Sequence, residues 1–207
     1  MTKLQKSLAV LLLILFVDQF LKIWIKTHMT LGEEIHVLGD WFIIHFTENN
    51  GMAFGMEFWG VTGKVLLTLF RILALAGIGW YLLHLIKKDS PMGLVFSITL
   101  VMAGALGNII DSVFYGVLFS ESYPGVANFL PAGGGYAPLL QGRVVDMFYF
   151  PVLKRYYPEW FPFNSNEPFI FFRPVFNIAD SAITIGVFSI LIFQRRFFTH
   201  STEQKDQ

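Results

Sequence analysis

Four stretches of the chain are almost uninterrupted apolar sequence, at residues 7–25, 65–86, 92–113 and 175–193. Each is long enough, or nearly so, to cross ~30 Å of hydrocarbon at about 20 residues per helix. The pattern predicts four transmembrane helices separated by two longer segments, 26–64 and 114–174. The first stretch opens like a signal peptide, with Lys3 and Lys6 ahead of "LAVLLLILFV". No small-residue cleavage site follows; the chain continues "DQFLKIWIK", which marks a retained span. No internal repeat divides the sequence, so residues 1–207 are expected to form a single membrane-embedded domain.

Basic residues give this arrangement a direction. Lys3 and Lys6 precede the first span, Lys87 and Lys88 join the second to the third, and Arg195 and Arg196 follow the fourth. The positive-inside rule puts those short segments in the cytoplasm. Both termini are then inside, and the two longer segments lie on the outer face. In the first of these, "EIHVLGDWFIIHFT" mixes β-branched and aromatic residues in strand-like fashion. The fold class expected is an all-α membrane protein of four transmembrane helices, with a small β-rich outer-face element and an extended interfacial insertion.

Composition sharpens the membrane reading and excludes other chemistry. Hydrophobic residues are 54% of the 207, charged residues 14%, and mean hydropathy is +0.55, too apolar for an ordinary soluble domain. Net charge is zero, which gives no basis for a nucleic-acid partner. There is no cysteine, so thiolate catalysis and cysteine-ligated metals are excluded. His28, His36, His45 and His84 have no metal-ligand spacing and read as structural or interfacial. A metal site is not expected from these spacings.

Against this apolar background the acids stand out. "FNIADSAITIGVFSILIF", residues 176–193, would be a plain membrane helix but for Asp180 and the preceding Asn177. At 1.5 Å per residue Asp180 lies about 7.5 Å into a span that starts at Val175. A carboxylate at that depth costs several kcal/mol unless it is paired, hydrated or protonated. Asp18, Gln19 and Lys22 mark the outer end of the first span, and Asn108 and Asp111 that of the third. Asp146, in "GRVVDMFYF", lies in the second outer segment. All four acids thus share one side of the membrane and nearly one depth.

Each has a bland explanation. Asp18 with Lys22 is an i, i+4 ion pair in the favourable order. Asn108 and Asp111 leave one helix face and would serve interhelical hydrogen bonds as readily as a ligand. Asp180 alone suits an ion or proton relay, and Asp146 alone suits a solvated loop. Asn50-Gly51, in "HFTENNGMAFG", is a hairpin-turn signal, or part of a strand or loop covering the acidic site. Together they point to an acidic site at the outer interface. A small proton- or ion-coupled transporter would use the same acids as a relay, but would spread them through the membrane depth or show repeats.

The combination resembles bacterial lipoprotein signal peptidase, or signal peptidase II. The resemblance rests on five motifs in family order: "DQFLK" at 18–22, "NNGMAF" at 49–54, "GNIID" at 107–111, "VVD" at 144–146 and "FNIAD" at 176–180. It implies an intramembrane aspartic endopeptidase acting on diacylglyceryl-modified prolipoproteins in the bacterial inner membrane and inhibited by globomycin-type cyclic peptides. Carried over by motif, Asp146 and Asp180 are the catalytic pair. Asn49, Gly51, Asn108, Asp111 and Asn177 are supporting or substrate-contacting positions, beside Asp18 and Lys22. Two carboxylates at a poorly hydrated interface cannot both ionise cheaply, so one keeps a proton while the other activates water.

The sequence departs from the family in two ways. Ser112 stands where the family usually has Arg, and the intervals from Asp111 to Asp146 and from Asp146 to Asp180 are 35 and 34 residues, both longer than usual. The insertions, 114–142 and 151–174, read as interfacial loops rich in Gly, Pro and aromatics. Arg143, three residues before Asp146, is the expected replacement cation, with Arg71 second.

Overall fold

A computed structural model describes residues 1–51, 60–151, 153–156, 168–171 and 175–193. Helix α1 (Lys3–His28) leads into strands β1 (Glu34–Leu38) and β2 (Phe42–Asn49). Helices α2 (Gly60–Lys87) and α3 (Met92–Ile110) follow, and α3 runs on through a π-helical turn, Asp111–Tyr115, into the short α4 (Gly116–Leu118). Strands β3 (Val144–Tyr149), β4 (Leu153–Tyr156), β5 (Pro168–Phe171) and β6 (Val175–Phe176) precede helix α5 (Ile178–Phe193).

Among the described residues three helices are long and apolar enough to cross a membrane: Lys3–His28, Gly60–Lys87 and Met92–Leu118. They carry large apolar side chains outward, Leu13, Phe16, Phe70, Leu73 and Trp80 among them, a surface that water would not tolerate over such an area. Helix α5 is equally apolar but has 16 residues; Arg195 and Arg196 lie outside the described residues. The predicted span 175–193 is corrected at its start. Val175 and Phe176 pair with β3, and the helix begins only at Ile178. Asn177 stops the strand and caps the helix: Asp180 N donates to Asn177 Oδ1 at 2.9 Å, and Asn177 N to Asp180 Oδ2 at 3.3 Å. This reciprocal pair is a capping box. Asp180 therefore sits in the first turn of α5 rather than deep in a helix.

Helix α3 packs on α1, α2 and α5. Its contact with α5 is backbone-close: a Cβ at Gly104 would lie 2.1 Å from Ala179 O, and one at Gly186 2.7 Å from Ser97 O. Small residues allow membrane helices this approach, and it sets Asp180 beside Asn108. At the other end of the bundle Lys3 Nζ pairs with Asp89 in the α2–α3 turn at 2.7 Å.

A four-stranded antiparallel sheet, ordered β1-β2-β3-β6, covers the polar end of the helices, and β4 pairs with β5 separately. The β1–β2 hairpin turns at 39–41, with Gly39 at φ 52°, not at Asn50-Gly51. The turn expected at Asn50-Gly51 involves the residues that follow it, and 52–59 lie outside the described residues. Side chains alternate across a strand, and in β2 and β3 the alternation separates two chemistries. Phe46, Val145 and Met147 enter the main core with Ile25, Met29, Tyr115 and Phe119. Thr47 and Asp146, paired in register, take the opposite face.

Candidate active site

The four acids form two clusters joined by amides. In the deeper cluster Lys22 Nζ reaches Asp18 Oδ2 at 3.0 Å, Asp111 Oδ2 at 2.8 Å and Asn108 Oδ1 at 2.9 Å, so each ammonium hydrogen has a partner. Lys22, Asp18 and Asp111 are all fully buried. Asp18 Oδ1 accepts from Ala179 N at 3.0 Å, Asp111 Oδ2 from Val145 N at 3.3 Å and Asp111 Oδ1 from Gln19 Nε2 at 2.9 Å. Tyr115 donates to Gln19 Oε1 at 3.1 Å. The cluster fastens α1, α3, α5 and β3 to one another.

Asp146 and Asp180 make the second cluster. Asn177 Nδ2 donates to Asp146 Oδ1 at 2.7 Å and Asn49 Nδ2 to Asp146 Oδ2 at 2.9 Å. Asn108 Nδ2 donates to Asp180 Oδ1 at 2.8 Å, while Asn108 Oδ1 accepts from Asn177 Nδ2 at 3.1 Å. Among the described residues neither acid forms an ion pair; their partners are amides. Burial, and next the Asp180 charge, raise the Asp146 pKa to about 7, against the opposing donor from Asn49. Asp146 is almost wholly buried and Asp180 half-buried. Asp180 borders a groove of about 240 Å³ between α2, α3 and α5, walled by Ala74, Leu75, Ile78, Ala105 and Ile183, with Arg71 and Asn108 its other polar contributors.

A carboxyl whose pKa is raised to near neutrality, beside a second acid that borders an apolar groove, is equipped for acid–base chemistry. A family model described as signal peptidase (SPase) II matches residues 10–196. The chain belongs to the signal peptidase II family. A lipoprotein signal peptidase from Porphyromonas gingivalis is 49% identical over 89% of this chain and 80% of its own length. One from Amoebophilus asiaticus is 37% identical over 93% of this chain and 79% of its own. Two solved bacterial membrane enzyme structures superpose with TM-scores of 0.59 and 0.60 at 25% and 27% identity, covering 98% and 92% of this chain and 93% of each of theirs. The chain is thus a multi-pass membrane protein of a protease family concerned with lipoprotein processing.

Within this signal peptidase II chain the sequence-predicted residues Asp18, Lys22, Asn49, Asn108, Asp111, Asp146, Asn177 and Asp180 come together. Asp146 is on a strand, not in a loop, and that corrects the role expected of Arg143. Arg143 and Asp146 are three apart on extended chain and so face opposite ways. Arg143 Nη1 reaches Glu48 Oε2 at 3.1 Å and Glu121 Oε2 at 2.8 Å, and its guanidinium covers the Tyr136 ring at 4.8 Å. It is not the cation of the acid pair.

Sequence reasoning missed what Arg143 does join. Lys26, fully buried, pairs with Glu48 and donates to Ser122 Oγ at 2.9 Å, and Ser122 donates to Glu48 Oε1 at 2.8 Å. Burial works to raise the Glu48 pKa, but the neighbouring Lys26 outweighs it and leaves Glu48 below the usual carboxylate range. The insertion 114–142 supplies Glu121, Ser122 and Tyr136 to this network, so it is a packed part of the sheet's support. Much of the insertion 151–174 lies outside the described residues.

Proposed function

We propose that this chain is an intramembrane aspartic endopeptidase that removes the signal peptide from diacylglyceryl-modified prolipoproteins, cutting before the lipidated Cys. The observation that carries the reading is the Asp146–Asp180 pair: two carboxyls from different elements, bridged by Asn177 and unaccompanied by an ion pair, at the edge of an apolar groove. In this reading Asp146, whose proton burial helps to retain, is the general acid, and Asp180 is the general base.

In this mechanism Asp180 takes a proton from water as the water oxygen attacks the scissile carbonyl carbon, and Asp146 donates its proton to the carbonyl oxygen. The resulting gem-diol collapses when Asp180 returns a proton to the departing nitrogen and Asp146 recovers one from a gem-diol hydroxyl. A new carboxyl ends the signal peptide, and an α-amine begins the lipidated product. No acyl-enzyme forms. The apolar groove receives the signal-peptide segment. Helix α5 is the fourth span, and the polar end of the bundle faces out from the bacterial inner membrane with both chain termini in the cytoplasm. Globomycin-type cyclic peptides bind the same cleft.

The test is incubation of the purified, membrane-reconstituted protein with a synthetic propeptide bearing a diacylglyceryl Cys. Cleavage before that Cys, blocked by globomycin and unaffected by chelators, is expected. An intact protein that leaves the peptide whole, while a known lipoprotein signal peptidase cuts it, overturns the proposal.

A further inference from the structure

The groove beside Asp180 has a single cation in its wall among the described residues, Arg71 of α2. A half-buried guanidinium on an apolar helix is expensive unless it has something to bind. Arg71 Nη2 donates to Gly51 O. Gly51 has φ +81°, and a Cβ there would lie 2.5 Å from Arg71 Nη1 and 3.2 Å from Cζ. The guanidinium therefore rests on the bare face of the glycine, and any side chain at 51 would displace it. Gly51 N donates back to Asn49 Oδ1, and Asn49 donates to Asp146. One acid thus flanks Arg71 in the groove, and the other is tied to its seat.

The two other places from which a cation was expected are occupied otherwise. Ser112 Oγ donates back to Asn108 O at 3.0 Å, and Arg143 is held by Glu48 and Glu121 on the far face of the sheet. A guanidinium carries five N–H donors in a planar fork. Among the described residues Arg71 uses one on Gly51, and its side chain lines the groove wall. A signal-peptide segment has few polar side chains, but to be cut it must unwind locally, and unwinding frees backbone carbonyls where no water replaces their bonds.

We propose that Arg71 is a substrate-binding residue: seated on Gly51 and beside Asp180, it donates hydrogen bonds to a backbone carbonyl of the signal-peptide segment next to the scissile bond. The inference rests on the function proposed above. It assigns to α2 the cation that the family usually carries after the α3 acid.

The experiment uses the reconstituted full chain and a set of lipidated propeptides, each with one backbone amide near the cleavage site replaced by an ester, whose carbonyl is a poorer acceptor. In the wild type, esters at one or two adjoining positions should raise KM more than the rest. Arg71→Ala should raise KM about 30- to 100-fold, the loss expected for a charge-assisted hydrogen bond. It should also become indifferent to where the ester lies, with kcat changed far less than in Asp146→Asn. Arg71→Lys keeps the charge but not the fork, so it should fall between them and provides the comparison if Arg71→Ala does not fold. A merely structural Arg71 would lower activity equally on every ester, and that result, or an unchanged KM, overturns the inference. A wild type that cleaves none of the peptides sinks the proposed function and this inference together; cleavage with an Arg71-independent ester profile sinks this inference alone.

Discussion

Two pairs of buried acids lie at one level of this bundle, and they are managed in opposite ways. Asp18 and Asp111 enclose a lysine whose three hydrogens are all engaged, and the trio is sealed from solvent. Among the described residues Asp146 and Asp180 are met by amide donors, and Asp180 borders an open groove. An internal cation between two carboxyls ties their elements together; amides orient a pair of carboxyls without supplying a counter-charge. In the function proposed above the first pair is a fastening and the second the reaction centre, and Asn108, bonded to both Lys22 and Asp180, joins them.

The largest effect that tests this division is on turnover. Asp146→Asn and Asp180→Asn should each lower cleavage of the lipidated propeptide by about 10⁴-fold or more, because neither amide exchanges the proton. Both should remain within about 1 kcal/mol of wild type in thermal unfolding in micelles, since removing one of two like acids relieves repulsion. Wild-type turnover by either variant would break the assignment of the pair.

Lys22→Met should do the reverse to stability. It strands Asp18 and Asp111 without their cation, and breaking a buried ion pair from one side costs ~3–5 kcal/mol. The readout is the unfolding midpoint, beside that of the triple variant Asp18→Asn/Lys22→Met/Asp111→Asn, which should recover most of the loss. If Lys22→Met unfolds like wild type, the deeper cluster is not a fastening.

Which parts of this were legible in advance follows from periodicity. The apolar helices and the shared level of the acids are visible because each is a pattern on a long regular element, and the five motifs because each is a short run of specific residue types. The segment around Asp146 was not: "GRVVDMFYF" has too few polar positions to display a strand's alternation, and it read as loop. On a loop, Arg143 can turn toward Asp146; on β3 it faces Glu48 instead. The start of α5 was likewise misplaced, because Val175 and Phe176 are as apolar as the helix that follows and only the Asn177 cap separates them. The seat of Arg71 on Gly51 depends on packing between residues 20 apart, on which local pattern is silent.

A finer test concerns the proton itself. The pH–rate profile should be bell-shaped, with limbs that belong to the coupled pair. Its basic limb should fall near the raised value of Asp146, about 7. Asn49 donates to Asp146 and favours its ionised form, so Asn49→Ala should move that limb to higher pH. The same group affects stability in a fixed direction. Its folded pKa lies above the unfolded value of ~3.9, so its contribution is full below that value and is lost as pH rises through about 7. A basic limb that Asn49→Ala leaves in place would separate Asp146 from the rate-determining proton.

The smallest expected effect is the one that most sharply separates the two faces of the sheet. Arg143 is three residues from Asp146 in sequence but belongs to the Lys26–Glu48–Glu121 network, with Val145 and Met147 directed into the core beside it. Arg143→Ala removes a half-exposed ion pair and leaves Glu48 still bound to Lys26 and Ser122. The cost should be about 1–2 kcal/mol in thermal unfolding. Turnover should stay within roughly threefold of wild type, under 1 kcal/mol of barrier. Glu48→Gln, which strikes the buried centre of the same network, should cost more stability than Arg143→Ala and again leave the pH–rate limbs in place. A large fall in kcat for Arg143→Ala with unfolding unchanged would mean that its guanidinium reaches the reacting groups after all, and that the alternation of β3 does not divide support from chemistry.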